Sequence, residues 1–250
     1  GDYYSTGGIK KLYGDSAPDI VVLGDSHALM WAKTLDEASK GLGRSIAFYC
    51  ADGTSAFFKI PPIKEEKGTL FFSASKKYEF DSARLKYLEA WRPKIIVIAA
   101  RWSNVTVEET ADLIEYIGKI GSRVLLIEQP PELFFGDKNA PQYLSYMGIK
   151  PSRAKRLYIE GLNSENYTRG RAVVREIAKK CDYCQVLPIA DIFLNGHRVW
   201  VVDFRDVLYI DDDHLSFAGA LKAKDRIEEA LKALLLRHQV DEAWSHVAID

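Results

Sequence analysis

Ser26 is the side chain in this sequence best placed to act as a nucleophile. It lies in a Gly-Asp-Ser-His stretch at positions 24–27, after an apolar run at 20–23 that is typical of a buried strand, and a helical pattern follows. A serine at a strand-to-helix turn lies beside free N–H groups and the positive end of the helix dipole, and both can stabilise an oxyanion. The alternative is a serine that only caps the helix, which such turns also favour.

Asp211 and His214 supply the groups that such a serine requires. They form an Asp-x-x-His unit directly before a predicted helix near the end of the chain. A serine hydroxyl is a weak nucleophile until an imidazole takes its proton, and a carboxylate must orient that imidazole and stabilise its cation. Taken alone, His214 is better explained as a solvated histidine at a helix start. Together, the two stretches predict a triad of Ser26, His214 and Asp211.

The two stretches resemble the first and last sequence blocks of the SGNH (GDSL-like) hydrolase superfamily, which carry Gly-Asp-Ser and Asp-x-x-His. More narrowly, positions 24–28 and 211–216 resemble the SGNH domain associated with membrane acyltransferase-3 proteins that O-acetylate surface polysaccharides. The resemblance spans positions 19–236. The roles that it implies are nucleophile, general base and orienting carboxylate, for Ser26, His214 and Asp211 respectively.

The resemblance also implies an oxyanion hole, for which the sequence offers several donors. Besides the N–H of Ser26, SGNH enzymes use a glycine N–H from the loop after the second strand. Gly53 is the nearest match, although it could equally serve only to make a turn. After a later strand the superfamily usually has Gly-x-Asn-Asp, whereas this chain has Arg-Trp-Ser-Asn at positions 101–104. Asn104, or else Arg101 or Trp102, is the expected donor there, and the alternative for Arg101 is a solvated cation at a strand end.

Length and composition bound the class of protein. The chain has 250 residues, 47% of them hydrophobic, and a formal net charge of −1. It is long enough for one sizeable core, and no bulk attraction to nucleic acid or to an anionic membrane is expected. No apolar run approaches the roughly 18 residues of a transmembrane segment, and no signal-peptide pattern opens the chain.

The order of apolar and amphipathic segments predicts an α/β fold. Strand-like runs, several of them without alternation, are separated by helical patterns, which indicates a three-layer α/β/α sandwich around a mainly parallel sheet of the SGNH or flavodoxin-like kind. Ligands of such folds bind at the carboxyl ends of the strands. Ser26, Gly53 and positions 101–104 all fall at such ends, so their convergence follows from the pattern and is independent of the resemblance.

The predicted domain organisation has three parts. Positions 19–236 form the catalytic domain, 1–18 an N-terminal extension or linker, and 237–250 a C-terminal tail without a clear period. Within the domain, positions 152–180 have a helical pattern with a break, and Asn195-Gly196 predicts a hairpin with a type I′ turn.

Cys181 and Cys184 form the one closely spaced cysteine pair. A zinc site would need two more ligands, and the third cysteine and the scattered histidines supply no second pair at metal-binding spacing. A local disulfide and two free thiols both remain possible. We therefore expect no metal, and nothing in the sequence calls for another cofactor.

The function that the resemblance implies is transfer of an acyl group, most simply acetyl, to hydroxyls of a bacterial surface or extracellular polysaccharide. Its implied partners are that polysaccharide acceptor and an acetyl donor handed over by a membrane acyltransferase-3 domain, and its implied location is the periplasm or another extracytoplasmic face. Two alternatives stay open. One is a carbohydrate or lipid acetylesterase, which would use the same triad with water as acceptor, and the other is a glycan-binding module with a vestigial triad.

Overall fold

A parallel sheet forms the centre of the fold in the computed structural model, which describes residues 10–11, 17–64, 67–69, 71–151 and 156–247. The strands are β1 (Lys10–Lys11), β2 (Ile20–Gly24), β3 (Ile46–Cys50), β4 (Ile95–Ala99), β5 (Arg123–Ile127), β6 (Arg156–Ile159), β7 (Cys184–Leu187), β8 (Leu194–Asn195), β9 (Arg198–Asp203) and β10 (Asp206–Val207). The central sheet has the order β1-β3-β2-β4-β5-β7, in which β1 alone is antiparallel.

Helices connect the parallel strands. They are α1 (Ser26–Leu29), α2 (Ala32–Gly41), α3 (Ala74–Trp91), α4 (Val107–Lys119), α5 (Ala140–Tyr146), α6 (Ser164–Lys179), α7 (Ala190–Phe193), α8 (Phe217–Ala220) and α9 (Lys224–Val247). Two short 3-10 helices, Trp102–Asn104 and Leu221–Ala223, follow β4 and α8.

Both faces of the sheet are covered, which explains why its strands are apolar without alternation. Along β2, Ile20 and Val22 pack into one cluster with side chains of α2 and α9, such as Leu35 and Leu231. The intervening strand residues pack into a second cluster with α3, α4 and α6. The predicted three-layer α/β/α sandwich with a mainly parallel sheet is therefore confirmed.

A second, smaller antiparallel sheet corrects two sequence-based predictions. Positions 152–180 were expected to be helical, but β6 pairs with β9 and only the later part is helix α6. The Arg-Leu-Tyr-Ile sequence of β6 is rich in residues that favour strands, and the partner strand β9 decides the outcome. The hairpin exists, but Leu194 pairs with Val199 and Asn195 with Arg198. The two-residue loop is therefore one position later than the Asn-Gly turn that we expected.

The two ends of the chain also differ from a simple division into domain and tails. Helix α9 continues to Val247, so the predicted boundary at position 236 is not the end of a helix. Of the predicted extension at 1–18, Lys10 and Lys11 pair with β3 as its antiparallel neighbour. Positions 1–9 and 12–16 of that extension, and 248–250 of the tail, lie outside the described residues.

Gly24 allows the end of β2 to pack closely against β4 and α1. A Cβ at this position would overlap the backbone carbonyl oxygen of Ala99 and the side chain of Ala28. The main chain of β4 cannot move away easily, because it is paired with β5 on its other side. Glycine is thus required for close approach, and it fixes where the turn with Ser26 begins.

We predict that Gly24→Ala destabilises the protein by about 1–3 kcal/mol or more, the usual cost of overpacking a core. The matched control is Gly41→Ala at the end of α2, where the new Cβ would lie 3.3 Å from the flexible carboxylate of Glu228. Thermal or denaturant unfolding measures both variants. Equal stability of Gly24→Ala and the wild type would contradict the role assigned to this close approach.

Candidate active site

Ser26 is the first residue of α1, and Asp25 before it caps the helix. The Asp25 carboxylate accepts a hydrogen bond from the backbone N–H of His27 (2.8 Å) and another, through its second oxygen, from the backbone N–H of Arg101 (3.2 Å). Asp25 therefore connects the turn that contains Ser26 to the chain just beyond β4. The sequence analysis did not assign this role, although aspartate is a preferred N-cap residue.

The structure brings the three residues of the predicted triad into contact. Ser26 Oγ lies 2.8 Å from His214 Nε2, across 188 positions of sequence. On the other side of the ring, Nδ1 lies 3.0 Å from both carboxylate oxygens of Asp211. Because a carboxylate only accepts hydrogen bonds, Nδ1 carries the ring proton and Nε2 is left to accept the proton of the serine.

The turn between Asp211 and His214 is closed by its own backbone. Asp211 Oδ1 accepts hydrogen bonds from the N–H groups of Asp213 (3.1 Å) and His214 (2.7 Å). The backbone N–H of Ile210 also donates to the His214 carbonyl at 2.8 Å. The Asp-x-x-His spacing thus folds the carboxylate back to the ring of the histidine three residues later.

Arg101 has a different position from that expected of an oxyanion donor. Its Nη1 lies 2.9 Å from Asp213 Oδ2, while its Nε and Nη2 donate to Glu132 at 3.2 and 3.1 Å. The guanidinium is therefore held between two carboxylates. Trp102, the other candidate beside it, is buried and donates its indole N–H to the carbonyl of Ile127 at 2.7 Å.

Asp213 and His27 are two functional candidates that the sequence analysis did not single out. Asp213 Oδ1 lies 2.6 Å from His214 Nδ1, so this ring nitrogen faces two carboxylates. The buried His27 ring lies 4.5 Å from the His214 ring between centroids, and its Nε2 is 3.5 Å from Asp213 Oδ2. A run of three aspartates before a histidine could have drawn attention to Asp213, but which of them faces the ring depends on the turn.

These contacts change the charge state of the site. Burial lowers the pKa of His214, but hydrogen bonds and charge attraction from Asp211 and Asp213 outweigh it and raise the pKa to about 10. Burial raises the pKa of Asp213, but the two neighbouring histidines hold it far below its usual range. The Glu132 carboxylate likewise outweighs burial and raises the pKa of Arg101.

Ser26 and His214 open into a cleft of about 500 Å³. Its remaining wall residues are Met30, Asp52, Gly53, Phe71, Ile210 and Asp211. Gly53 has a φ of +59°, a conformation that favours glycine, and it lines this cleft. Asn104 is exposed on the 3-10 helix after β4 and is not among the described residues that line the cleft.

Two clusters in the described part of the chain have metal-ligating side chains. One is His27, Asp213 and His214, and the other is Asp211, Asp212 and Asp213, each with ligand atoms within 4.8 Å of one another. Both include Asp213, whose carboxylate already pairs with the Arg101 guanidinium. This positive charge opposes a cation at the shared ligand, so the residues do not fit a metal centre.

Cys181 and Cys184 form a disulfide, with their Cα atoms 5.3 Å apart. It joins the segment just after α6 to the first residue of β7. Of the two possibilities that the sequence left open, the structure has the local disulfide.

The comparisons with known proteins agree with this architecture. The family model described as "SGNH domain (fused to AT3 domains)" matches residues 3–229. A solved structure from Streptococcus pneumonia, described as a "putative platelet activating factor", aligns with a TM-score of 0.50 at 15% identity and covers 92% of this chain and 89% of that one. At this identity the likeness concerns the fold alone. Among curated proteins, none matches the chain in sequence.

We predict that the His214 ring titrates well above its usual pKa of 6.5, toward about 10. Because the raised pKa belongs to the folded state, the ionised pair stabilises the fold fully below pH 6.5, and this contribution is lost as the pH rises through the folded-state pKa. Side-chain NMR gives the titration, with the resonance assigned by its absence in His214→Gln. A midpoint at or below 6.5 would show that the carboxylates do not control this ring.

Proposed function

The chain belongs to the family of SGNH domains that are fused to AT3 domains, and on this premise we propose that it is an O-acetyltransferase acting on a bacterial surface or extracellular polysaccharide. Membership of this hydrolase family supports an esterase or acyltransferase. The observation that carries the proposal is the 2.8 Å contact between Ser26 Oγ and His214 Nε2, with Asp211 on the opposite ring nitrogen.

The proposed reaction has two halves. In the first, Ser26 Oγ attacks the carbonyl carbon of the donor while His214 Nε2 takes its proton, and the imidazolium then gives that proton to the leaving group as the donor's ester bond breaks. In the second, His214 removes a proton from an acceptor hydroxyl, whose oxygen attacks the acetyl-serine. The imidazolium then returns this proton to Ser26 Oγ as the bond between Ser26 and the acetyl group breaks. Asp211 keeps the Nδ1–H orientation and stabilises the imidazolium in both halves.

For the oxyanion hole we propose the backbone N–H groups of Ser26 and Gly53. The N–H of the first helical residue has no acceptor within its own helix, and Gly53 lines the same cleft. Donors aimed at the developing negative charge contribute about 10²–10³-fold to the rate of such reactions. Neither Arg101 nor Asn104 is included, because the first is held by two carboxylates and the second lies outside the cleft lining.

The cleft and the disulfide support the proposed substrate and location. Phe71 and Ile210 are exposed on the cleft wall beside the triad, where an aromatic face can pack on a sugar ring or an acyl group.

A disulfide is typical of proteins outside the reducing cytosol, which fits an acceptor at an extracytoplasmic face. In this proposal a membrane AT3 domain hands over the acetyl group. Among the described residues, no helix has the length and apolarity of a membrane span.

An acetylesterase of carbohydrate or lipid is the second candidate. The observation that favours it is the accessibility of the triad, because about a quarter of the His214 side chain is exposed and water can reach an acetyl-serine as easily as a sugar can. The same groups would then activate water instead of a sugar hydroxyl. The third possibility, a glycan-binding module, would leave the triad without a reaction.

We predict that Ser26→Ala abolishes the acetyl-enzyme and lowers turnover of p-nitrophenyl acetate by about 10⁴-fold or more, as loss of a nucleophile does in other triads. Intact-mass spectrometry detects the adduct and absorbance gives the rate. The control is Ser145→Ala, an exposed serine on α5, which should behave as wild type. Turnover retained in Ser26→Ala would refute the assignment, and no adduct or turnover in the wild type would favour the binding module.

Acceptor competition separates the transferase from the esterase. With bacterial oligosaccharides added to the wild type, a transferase diverts acetyl from water to the sugar, which appears as a mass gain of one acetyl group on the oligosaccharide. Release of free acetate at an unchanged rate, with no acetylated sugar for any acceptor in the panel, would favour the esterase.

We predict that Asn104→Ala retains turnover within about threefold of wild type, far from the 10²–10³-fold loss that follows removal of an oxyanion donor. The reason is its exposed position outside the lining of the cleft. Steady-state hydrolysis of p-nitrophenyl acetate provides the measurement, with thermal unfolding as a check that the variant is folded. A loss of 10²-fold in kcat would place Asn104 in the oxyanion hole after all.

A further inference from the structure

We propose that Asp213 is a second positioning carboxylate for His214, held against the ring by Arg101. The inference rests on the function proposed above, in which His214 is the general base. It adds a carboxylate that the Asp-x-x-His pattern does not contain and gives Arg101 a role different from that of an oxyanion donor.

Asp213 faces the same ring nitrogen as Asp211, and at a shorter distance. Its Oδ1 lies 2.6 Å from His214 Nδ1, compared with 3.0 Å for each oxygen of Asp211. Three carboxylate oxygens therefore surround one N–H group. When His214 takes the proton of Ser26, the imidazolium forms beside two negative charges, and each of them favours the charged ring.

The two carboxylates differ in their surroundings. The Asp211 side chain is 37% exposed and its Oδ1 also accepts two backbone N–H groups, whereas the Asp213 side chain is only 7% exposed. Attraction between charges is screened less where water is excluded. Burial therefore strengthens the action of the Asp213 charge on the ring, while the Arg101 guanidinium offsets part of it. Asp211 acts on the ring mainly through its hydrogen bonds and also closes the turn.

Arg101 fixes Asp213 from the side opposite His214. Its Nη1 contacts Asp213 Oδ2 at 2.9 Å, and the Nε and Nη2 of the same planar group bind Glu132 in a fork. Glu132 is buried and accepts further hydrogen bonds, whose donors are Ser103 Oγ, Gln129 Nε2 and Asn166 Nδ2. A guanidinium held in this way has one orientation, so the Asp213 carboxylate also has one.

The other charged or titratable groups at this centre are few. The His27 ring lies 4.5 Å from the His214 ring between centroids and is tilted by 36° to it, and its Nε2 lies 3.5 Å from Asp213 Oδ2, the oxygen that Arg101 contacts. Asp212 lies in the same turn but, among the described residues, is not one of those that contact His214 Nδ1. Burial and repulsion from the aspartates on either side of it raise its pKa, and its charge acts on Arg101. Asp212 is therefore a suitable control for simply removing one negative charge from the turn.

The test compares Asp213→Asn, Asp211→Asn and the control Asp212→Asn by NMR titration of His214 and by the pH profile of p-nitrophenyl acetate hydrolysis. We expect Asp213→Asn to lower the pKa of His214 and so to move the acidic limb of the pH profile to lower pH. On the plateau above that limb, where the ring is unprotonated, kcat should fall by about 10–100-fold with KM within about twofold. This loss is smaller than the roughly 10⁴-fold effect of neutralising a triad's sole orienting carboxylate. Asp212→Asn should leave the pKa and kcat near wild type, and Asp213→Glu, which keeps the charge, should restore part of the shift.

A structural role would give a different result. If Asp213→Asn lowers activity only in proportion to folded protein, with the pKa of His214 unchanged, the proposal is wrong. Should Asp213→Asn fail to fold, Asp211→Asn decides: with Asp213 still facing Nδ1, the pKa of His214 should stay above 6.5, and a fall to that value or below would overturn the proposal. The titration needs no turnover, so its outcome is separate from that of Ser26→Ala.

Discussion

The contact between Ser26 and His214 depends on two tight turns, one after β2 of the parallel sheet and one between β10 of the small sheet and α8. One turn follows β2, where Gly24 lets the strand end against β4 and Asp25 binds the backbone beyond that strand. The other is closed by the Asp211 carboxylate on the backbone N–H groups that follow it. Because each turn is held by hydrogen bonds from a carboxylate to nearby backbone N–H groups, local contacts suffice to position two residues that are 188 positions apart.

Burying either of the two carboxylates beside this contact without a partner would destabilise the protein. Asp213 and Glu132 are almost fully buried, and a buried carboxylate that loses its partner typically destabilises a protein by about 3–5 kcal/mol. Arg101 lies between the two and neutralises part of both charges, while its own side chain stays about one-third exposed. Arg101 therefore lowers the free-energy cost of burying these two carboxylates beside the site. In the sequence, its position after β4 resembles that of an ordinary strand-end cation.

The sequence predicted the parts of this arrangement that depend on short-range patterns. Unbroken apolar runs identified the buried strands, and Gly-Asp-Ser and Asp-x-x-His identified residues that the structure brings together. It failed where a partner distant in sequence decides the outcome. Strand β6 is fixed by pairing with β9, and the surroundings of Arg101 are fixed by Glu132, 31 positions away. Which of three adjacent aspartates faces His214 depends on the path of the turn, and residue type alone does not encode that path.

The surroundings of His214 affect two properties of its ring, namely its strength as a base and the fraction of molecules in which it is unprotonated at neutral pH. Two carboxylates on Nδ1 make the ring a stronger base toward the serine proton, but they also increase the fraction of molecules in which the ring is already protonated at neutral pH. Arg101 acts against the second effect, because its positive charge, 2.9 Å from Asp213, draws on the same carboxylate that attracts the imidazolium. The Arg101–Glu132 pair is therefore more than a structural brace. It also influences how much of the Asp213 charge the His214 ring experiences, and therefore the pKa of that ring.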